Sequence, residues 1–195
     1  MKIPTPVTLT NPDVRLEPLT LAHVPALAAV GNDPELWGWI PNPITDADEM
    51  HAYVSTALEE QQRGVALPFA IVEAASGSVI GSTRFAAIDV RNRRLEIGWT
   101  WIARSHQRTR TNTAAKRLLL GHAFDVLEAN RVELKTDALN EKSRNAIGRI
   151  GGVQEGIFRQ HVVCASGRIR DTVYFSILAA EWPAVRRRLD ERLAA

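Results

Sequence analysis

Cysteine is almost absent from this chain: Cys164 stands alone among 195 residues. No intrachain disulfide can form, so packing must hold the fold together, as suits a reducing compartment. Five histidines, at positions 23, 51, 106, 122 and 161, show neither H-x-x-x-H nor H-E-x-x-H spacing, and no metal is expected. No run approaches the ~20 apolar residues of a membrane span, and the N-terminus has no apolar leader core. A cytoplasmic protein without membrane attachment is therefore expected. Both G-x-x-x-x-G-K-[ST] and G-x-G-x-x-G are missing, which removes the P-loop and the dinucleotide fingerprint. Net charge is only +2. The arginines form short clusters without interleaved aromatics, unlike a nucleic-acid stacking platform, so nucleic acid is not the expected ligand.

The length suits one domain over residues 1–195, with a core from about 14 to 182 and a C-terminal helix over 182–193. Its organising stretch runs from Leu95 to Phe124. Leu95, Ile97, Trp99 and Trp101 alternate with Glu96, Gly98 and Thr100, predicting a strand with the first set on one face. A basic turn from Ala103 to Asn112 follows, then a helix over Thr113–Leu127 with a polar stripe of Arg117, Gly121, Asp125 and Glu128. Unpaired N–H groups and the macrodipole make such a helix N-terminus an anion site.

Around it the chain reads in order. The first dozen residues are an irregular lead-in with Pro4, Pro6 and Pro12. A strand spans Val14–Leu19, and helices span Leu21–Val30 and Asp46–Arg63. Between these helices lies a turn-rich loop carrying Trp37 and Trp39, which either plugs the core or walls a substrate pocket. Leu67–Val72 and Val79–Phe85 form a hairpin, and Val132–Thr136 is a short strand. Asn140 caps a helix to about Ile150, and strands at Val153–Val163 and Thr172–Leu178 complete the set. The expectation is an α/β fold with a mixed, mostly antiparallel sheet of about seven strands, flanked by four helices besides the C-terminal one.

This order, with RLEPLTLAHVPAL, VIGSTRF, LEIGWTWI and ALNEKSRNAIGRIGGVQEGIFRQH, resembles the GCN5-related N-acetyltransferase (GNAT) superfamily, and within it the RimJ/RimL-like branch. The resemblance implies splayed central strands and an acetyl-coenzyme A cofactor without metal. Backbone groups of Trp101, Ile102 and Ala103 would pair with the pantetheine arm. Gln107, Arg108, Thr109, Arg110, Thr111, Asn112 and Thr113 would hold the pyrophosphate, and Arg104 or Arg108 the remaining phosphate. The superfamily pattern Q/R-x-x-G-x-G/A places Arg110 where its first glycine stands and Asn112 at the second small residue. Two readings stay open: Arg110 supplies a compensating charge, or coenzyme binding is weakened.

Acyl transfer to an amine needs a base, an oxyanion donor and a proton for the thiolate. The resemblance assigns Glu96 as base, a backbone N–H near Ile102 as oxyanion donor, and Ser143 as acid beside Asn140. It puts Trp37 and Trp39 in the acceptor site with Glu96. Bland readings accompany these: Glu96 as a surface carboxylate, Asn140 as a helix cap. The function implied is acetyl transfer to a primary amine, such as a protein N-terminus. The alternatives are a small-molecule amine as acceptor, or a coenzyme-binding or interaction module with little catalysis. A homodimer is also compatible with the family.

Overall fold

The structure, a computed structural model, describes residues 1–195. Eight strands build one sheet: β1 (Leu9–Thr10), β2 (Val14–Pro18), β3 (Leu67–Glu73), β4 (Val79–Asp89), β5 (Arg94–Ile102), β6 (Arg131–Asp137), β7 (Val153–Val163) and β8 (Ile169–Leu178), in the order β1-β2-β3-β4-β5-β6-β8-β7. Every neighbouring pair is antiparallel except β5–β6. Five helices accompany them: α1 (Val24–Gly31), α2 (Ala47–Gln62), α3 (Thr111–Gly121), α4 (Glu141–Arg149) and α5 (Trp182–Ala194).

The strand missing from the sequence reading is β1. It lies in the proline-bearing lead-in, where two residues suffice to pair Leu9 with Leu16 on β2. Local composition cannot reveal so short a pairing, because the partner strand supplies it. The third helix begins at Thr111 rather than Thr113, and its end widens into a π turn over His122–Val126. Its stripe of Arg117 and Asp125 is paired with α5. Arg117 Nε lies 2.6 Å from Asp190 on α5, and Trp182 Nε1 donates to Asp125 at 2.7 Å.

Helices cover both faces. Against α3 and α5 the sheet packs its main apolar cluster, with Leu16, Phe69, Phe85, Leu95, Ile97 and Val132. Against α1 and α2 lies a smaller cluster of Leu27, Trp37, Met50, Val54, Ala70 and Trp101. The two lists contradict the simple alternation expected along β5. Leu95 and Ile97 join the first cluster, Trp101 the second, and Trp99 is 44% exposed. A bulge is the cause. Ser82 pairs with Trp101 and Arg84 with Gly98, so two residues of β5, Trp99 and Thr100, face Thr83 alone. Trp99 takes a left-handed φ of 55° there, and the extra residue reverses every side chain beyond it.

The second irregularity sits on the other edge of β5. Only Arg94, Leu95 and Glu96 pair with β6, opposite Arg131, Val132 and Glu133. From Ile97 onward the strands diverge. A wedge opens in mid-sheet, with one strand edge lining it.

Candidate active site

At the mouth of the wedge, Ala103 N–H donates to Ile80 O at 2.7 Å, so that group is committed to β4. Antiparallel alternation turns the polar groups of Ile102 the other way, into the wedge. The Ile102 carbonyl accepts from Gln107 Nε2 at 3.0 Å, leaving its N–H as the inward-facing donor. Of the expected Trp101–Ala103 pairing edge, Ile102 is the residue positioned to serve. The Trp101 side chain is buried against Trp37, with ring centroids 5.1 Å apart.

Gln107 also ties the turn to the far wall, since Lys142 on α4 donates to its Oε1. In the turn itself, Thr109 Oγ1 donates to His106 O at 2.7 Å and receives Thr111 N–H at 3.3 Å. Arg108 is exposed with φ 61°, the left-handed conformation that favours glycine. Arg110, at the family's first glycine, instead has helical φ −68° and precedes α3 as its N-cap. The Arg110 guanidinium turns outward, 3.4 Å from Asp13 and donating to Leu193 O on α5. The amides of Thr111, Asn112 and Thr113 form the first turn of α3, where Thr111 N–H meets Thr109 Oγ1 and the other two have no intrahelical partner. Arg104 lies elsewhere, 2.9 Å from Glu35.

Across the wedge, Asn140 Oδ1 accepts from Ser143 N–H at 2.9 Å, the cap expected of it. The half-buried Ser143 side chain then stands one turn into α4.

Glu96 is no surface carboxylate. Its side chain is 14% exposed, and Oε2 lies 2.8 Å from Lys135 Nζ. Burial works against the Lys135 ammonium, but Glu96 outweighs it and holds the lysine above its ordinary pKa. Lys135 also rests 4.8 Å over the Tyr174 ring. Further along β6, Asp137 is 1% exposed and meets Arg168 Nη2 at 2.5 Å. On β8, Arg170 is 12% exposed on its side chain and 4.0 Å from Asp137. Burial pushes its pKa down, only partly offset by Asp137. Sequence reasoning missed Lys135, Asp137, Arg168 and Arg170. The signal was present in the charged set Glu133, Lys135 and Asp137, which alternates with the apolar residues of β6.

Lys116 was missed too. It lies on the wholly apolar face of α3, 6% exposed, its Nζ donating to Thr100 Oγ1 at 2.8 Å. Burial pulls its pKa down to about 7 against a residual attraction from Glu96.

The two tryptophans of the loop take different places, one buried and one exposed. Trp37 plugs the smaller core, 3% exposed, its Nε1 donating to Gly31 O at 2.9 Å. Trp39 is 42% exposed, with Arg168 5.8 Å over its ring. Between this loop and the β7–β8 turn lies a cavity of about 290 Å³, walled by Asp33, Trp37, Ile40, Ile44, Cys164 and Arg168 among others. The turn is latched to the loop by Ala165 N–H, which donates to Pro41 O at 2.9 Å. No three His, Cys, Asp or Glu side chains gather as a metal site, and no helix is long and apolar enough to cross a membrane.

A wedge opening from a parallel strand pair, a bulged central strand and a basic turn onto a helix N-terminus can be compared with known proteins. The profile described as the acetyltransferase (GNAT) domain matches residues 13–153. The chain belongs to the GNAT acetyltransferase family. Among this family's members, the Bacillus subtilis (strain 168) protein YdaF, provisionally named a ribosomal N-acetyltransferase, is 41% identical over 106 residues. That alignment spans 54% of this chain and 57% of YdaF, little more than half of each. A GCN5-related N-acetyltransferase from Brucella melitensis superposes with a TM-score of 0.89 at 33% identity, covering 97% of this chain and 86% of that one. RimJ of Mycobacterium smegmatis, solved in complex with CoA-disulfide, superposes with a TM-score of 0.81 at 25% identity, covering 97% and 95%. These GNAT relatives support the RimJ/RimL-like branch and an α/β fold with a mixed, mostly antiparallel sheet, here of eight strands rather than the seven expected, with the four helices and the C-terminal one as expected.

Proposed function

We propose that this protein transfers an acetyl group from acetyl-coenzyme A to a primary amine, with a peptide N-terminus as the acceptor. The observation that carries this reading is the free edge of β5 beyond Glu96, ending at the N-terminus of α3. An unpaired strand edge can accept the amide groups of an extended pantetheine arm, and the helix N-terminus suits a pyrophosphate. The residues present therefore fit coenzyme A. Ile102 and Thr100 would supply the edge, and Gln107 to Thr113 the phosphate cradle. Arg108 is the cation left for the remaining phosphate, because Arg104 and Arg110 are engaged elsewhere. The name of YdaF, a ribosomal N-acetyltransferase, supports a protein acceptor, and the CoA-disulfide bound by RimJ supports the cofactor.

When bound, the cofactor supplies an activated acyl thioester. The chain does the rest. Glu96, held by Lys135, takes the ammonium proton through water, because an ammonium has no lone pair. Ile102 N–H holds the developing oxyanion at a site preorganised by the Gln107 latch on its own carbonyl. Ser143 offers its hydroxyl proton from the opposite wall, its place fixed by the Asn140 cap. Trp39 and the cavity beside it receive the acceptor.

Calorimetric titration with acetyl-coenzyme A, run beside thiol release on peptides and small amines, tests the reading. Micromolar binding with turnover of peptide N-termini is expected. Glu96→Gln should retain that binding and lower kcat on the order of 100-fold or more. Absence of binding at millimolar cofactor would defeat the proposal.

A further inference from the structure

Arg170 is a guanidinium with too few partners. Its Nε is buried and makes no hydrogen bond. The one carboxylate within 4.0 Å of it, Asp137 Oδ2, is already held by Arg168 at 2.5 Å, and Glu96 acts only from farther off. The other Asp137 oxygen accepts Leu139 N–H at 2.9 Å. An arginine cannot shed its proton to relieve burial, so a desolvated, under-paired guanidinium calls for an anion.

The surroundings say where that anion would come from. Asp137 pairs with Thr172 and Lys135 with Tyr174 across the β6–β8 ladder. Arg170, Thr172 and Tyr174 share one face of β8, and Lys135 and Asp137 share the same face of β6. Glu96 joins this face from β5 through Lys135. The linked groups on this face are then Lys135, Arg168 and Arg170 against Glu96 and Asp137, three cations to two carboxylates. Glu133 does not redress the balance. It stands opposite Glu96 in the β5–β6 register but is taken up by Arg131 at 3.0 Å and Arg94 at 3.3 Å, with Lys135 3.9 Å off. Cys164 and the ring of Tyr174 complete the surroundings without adding a full charge.

We infer that Arg170 recognises a carboxylate carried by the amine acceptor, so that the preferred acceptor is an amine with a carboxylate close by. This rests on the acetyl-transfer reading above. The arrangement is a two-point clamp: Glu96 faces the amine, and Arg170, on the neighbouring side of the same cleft, faces the acid. A guanidinium fork suits a carboxylate bidentately, which fixes the acceptor's orientation as well as its affinity. Two sources offer that chemistry, the α-carboxylate of a free amino acid and an acidic side chain near a peptide N-terminus.

The test compares matched acceptors. Wild type, Arg170→Gln and Arg170→Lys are assayed by thiol release on Ser-Ala-Ala-amide, Ser-Glu-Ala-amide, Asp-Ala-Ala-amide and free serine. Binding of the corresponding N-acetylated products is measured by calorimetry. Wild type is expected to favour a carboxylate-bearing acceptor on the order of 100-fold in kcat/KM over the neutral peptide. Arg170→Gln should remove that preference, lowering kcat/KM on the carboxylate-bearing acceptors far more than on Ser-Ala-Ala-amide, and Arg170→Lys should restore part of it. The acidic peptides and free serine separate the two sources. Equal rates of wild type on neutral and acidic acceptors would overturn the clamp and leave acetyl transfer standing. So would a uniform loss across all acceptors in Arg170→Gln and Arg170→Lys alike. A wild type that acetylates none of the panel and binds none of the products would overturn both.

Discussion

Against α3 and α5, twenty-eight buried apolar residues form one cluster, interrupted by a single lysine. Against α1 and α2 the apolar cluster has nine members, and the same sheet face carries Arg84, Glu96, Lys135, Asp137 and Arg170. Both faces are built from the same strands, so the contrast is written residue by residue through the period-two alternation. One face supplies most of the burial that holds the sheet, at about 25 cal/mol per Å² of apolar surface. The other accepts desolvated charge, which rarely stabilises a fold and often marks a site. The bulge at Trp99 is where the two programmes cross. By reversing the alternation it places Thr100 toward α3 and Trp101 toward Trp37, and it sets the polar groups of Ile102 into the wedge.

If that division holds, truncation in the α3–α5 face should cost stability and spare chemistry. Phe85 is fully buried, edge-on to Phe69 at 5.8 Å and stacked on His122 at 6.1 Å. Phe85→Ala should destabilise by about 3–5 kcal/mol in denaturant unfolding. The activity per folded molecule should be unchanged, and a large loss of kcat in the folded fraction would break the comparison.

Lys116 is the exception that sharpens it. Its pKa is about 7 in the folded protein and near 10.5 when solvated, so the unfolded chain binds more protons between those values. The fold therefore carries the full cost of the buried charge below pH 7, and stability rises with pH as that cost fades toward 10.5. Lys116→Met should stabilise by about 2 kcal/mol at pH 6. By pH 10 the gain should have largely vanished. A destabilised Lys116→Met at pH 6 would mean that the bond to Thr100, which also meets Thr83 Oγ1 at 2.7 Å, outweighs the burial of charge.

Much of this could be read in advance where local pattern decides. The Asn140 cap and the strand–turn–helix from Leu95 follow from capping and periodicity. Glu96 and Ser143 came from likeness to a family; the structure puts Glu96 at the paired end of β5 and Ser143 in the first turn of α4. What escaped were features created by pairing. A two-residue β1 exists only because β2 is beside it. The β5 bulge depends on the register of β4, and four evenly alternating apolar residues disguised it completely. The Lys135–Asp137–Arg168–Arg170 set joins β6 to residues more than thirty positions away, and no motif spacing announces such a neighbourhood.

Arg110 gives the smallest effect and the finest discrimination. Replacing the family's glycine with arginine invites the idea of a substitute phosphate ligand. Its guanidinium is instead 3.4 Å from Asp13, over half exposed, on the α5 side of the turn. Its backbone is already helical, so glycine would relieve nothing there. Arg110→Gly should then cost no more than about 1 kcal/mol of stability, through the lost surface pair and a more flexible helix start. Affinity for acetyl-coenzyme A should move less than about threefold, because the cradle's amides belong to Thr111–Thr113. A tenfold loss at low salt that shrinks at high salt would show the guanidinium leaving Asp13 for the phosphates. The charged, ligand-facing character now assigned to one face of the sheet would then extend around the end of α3 to the other.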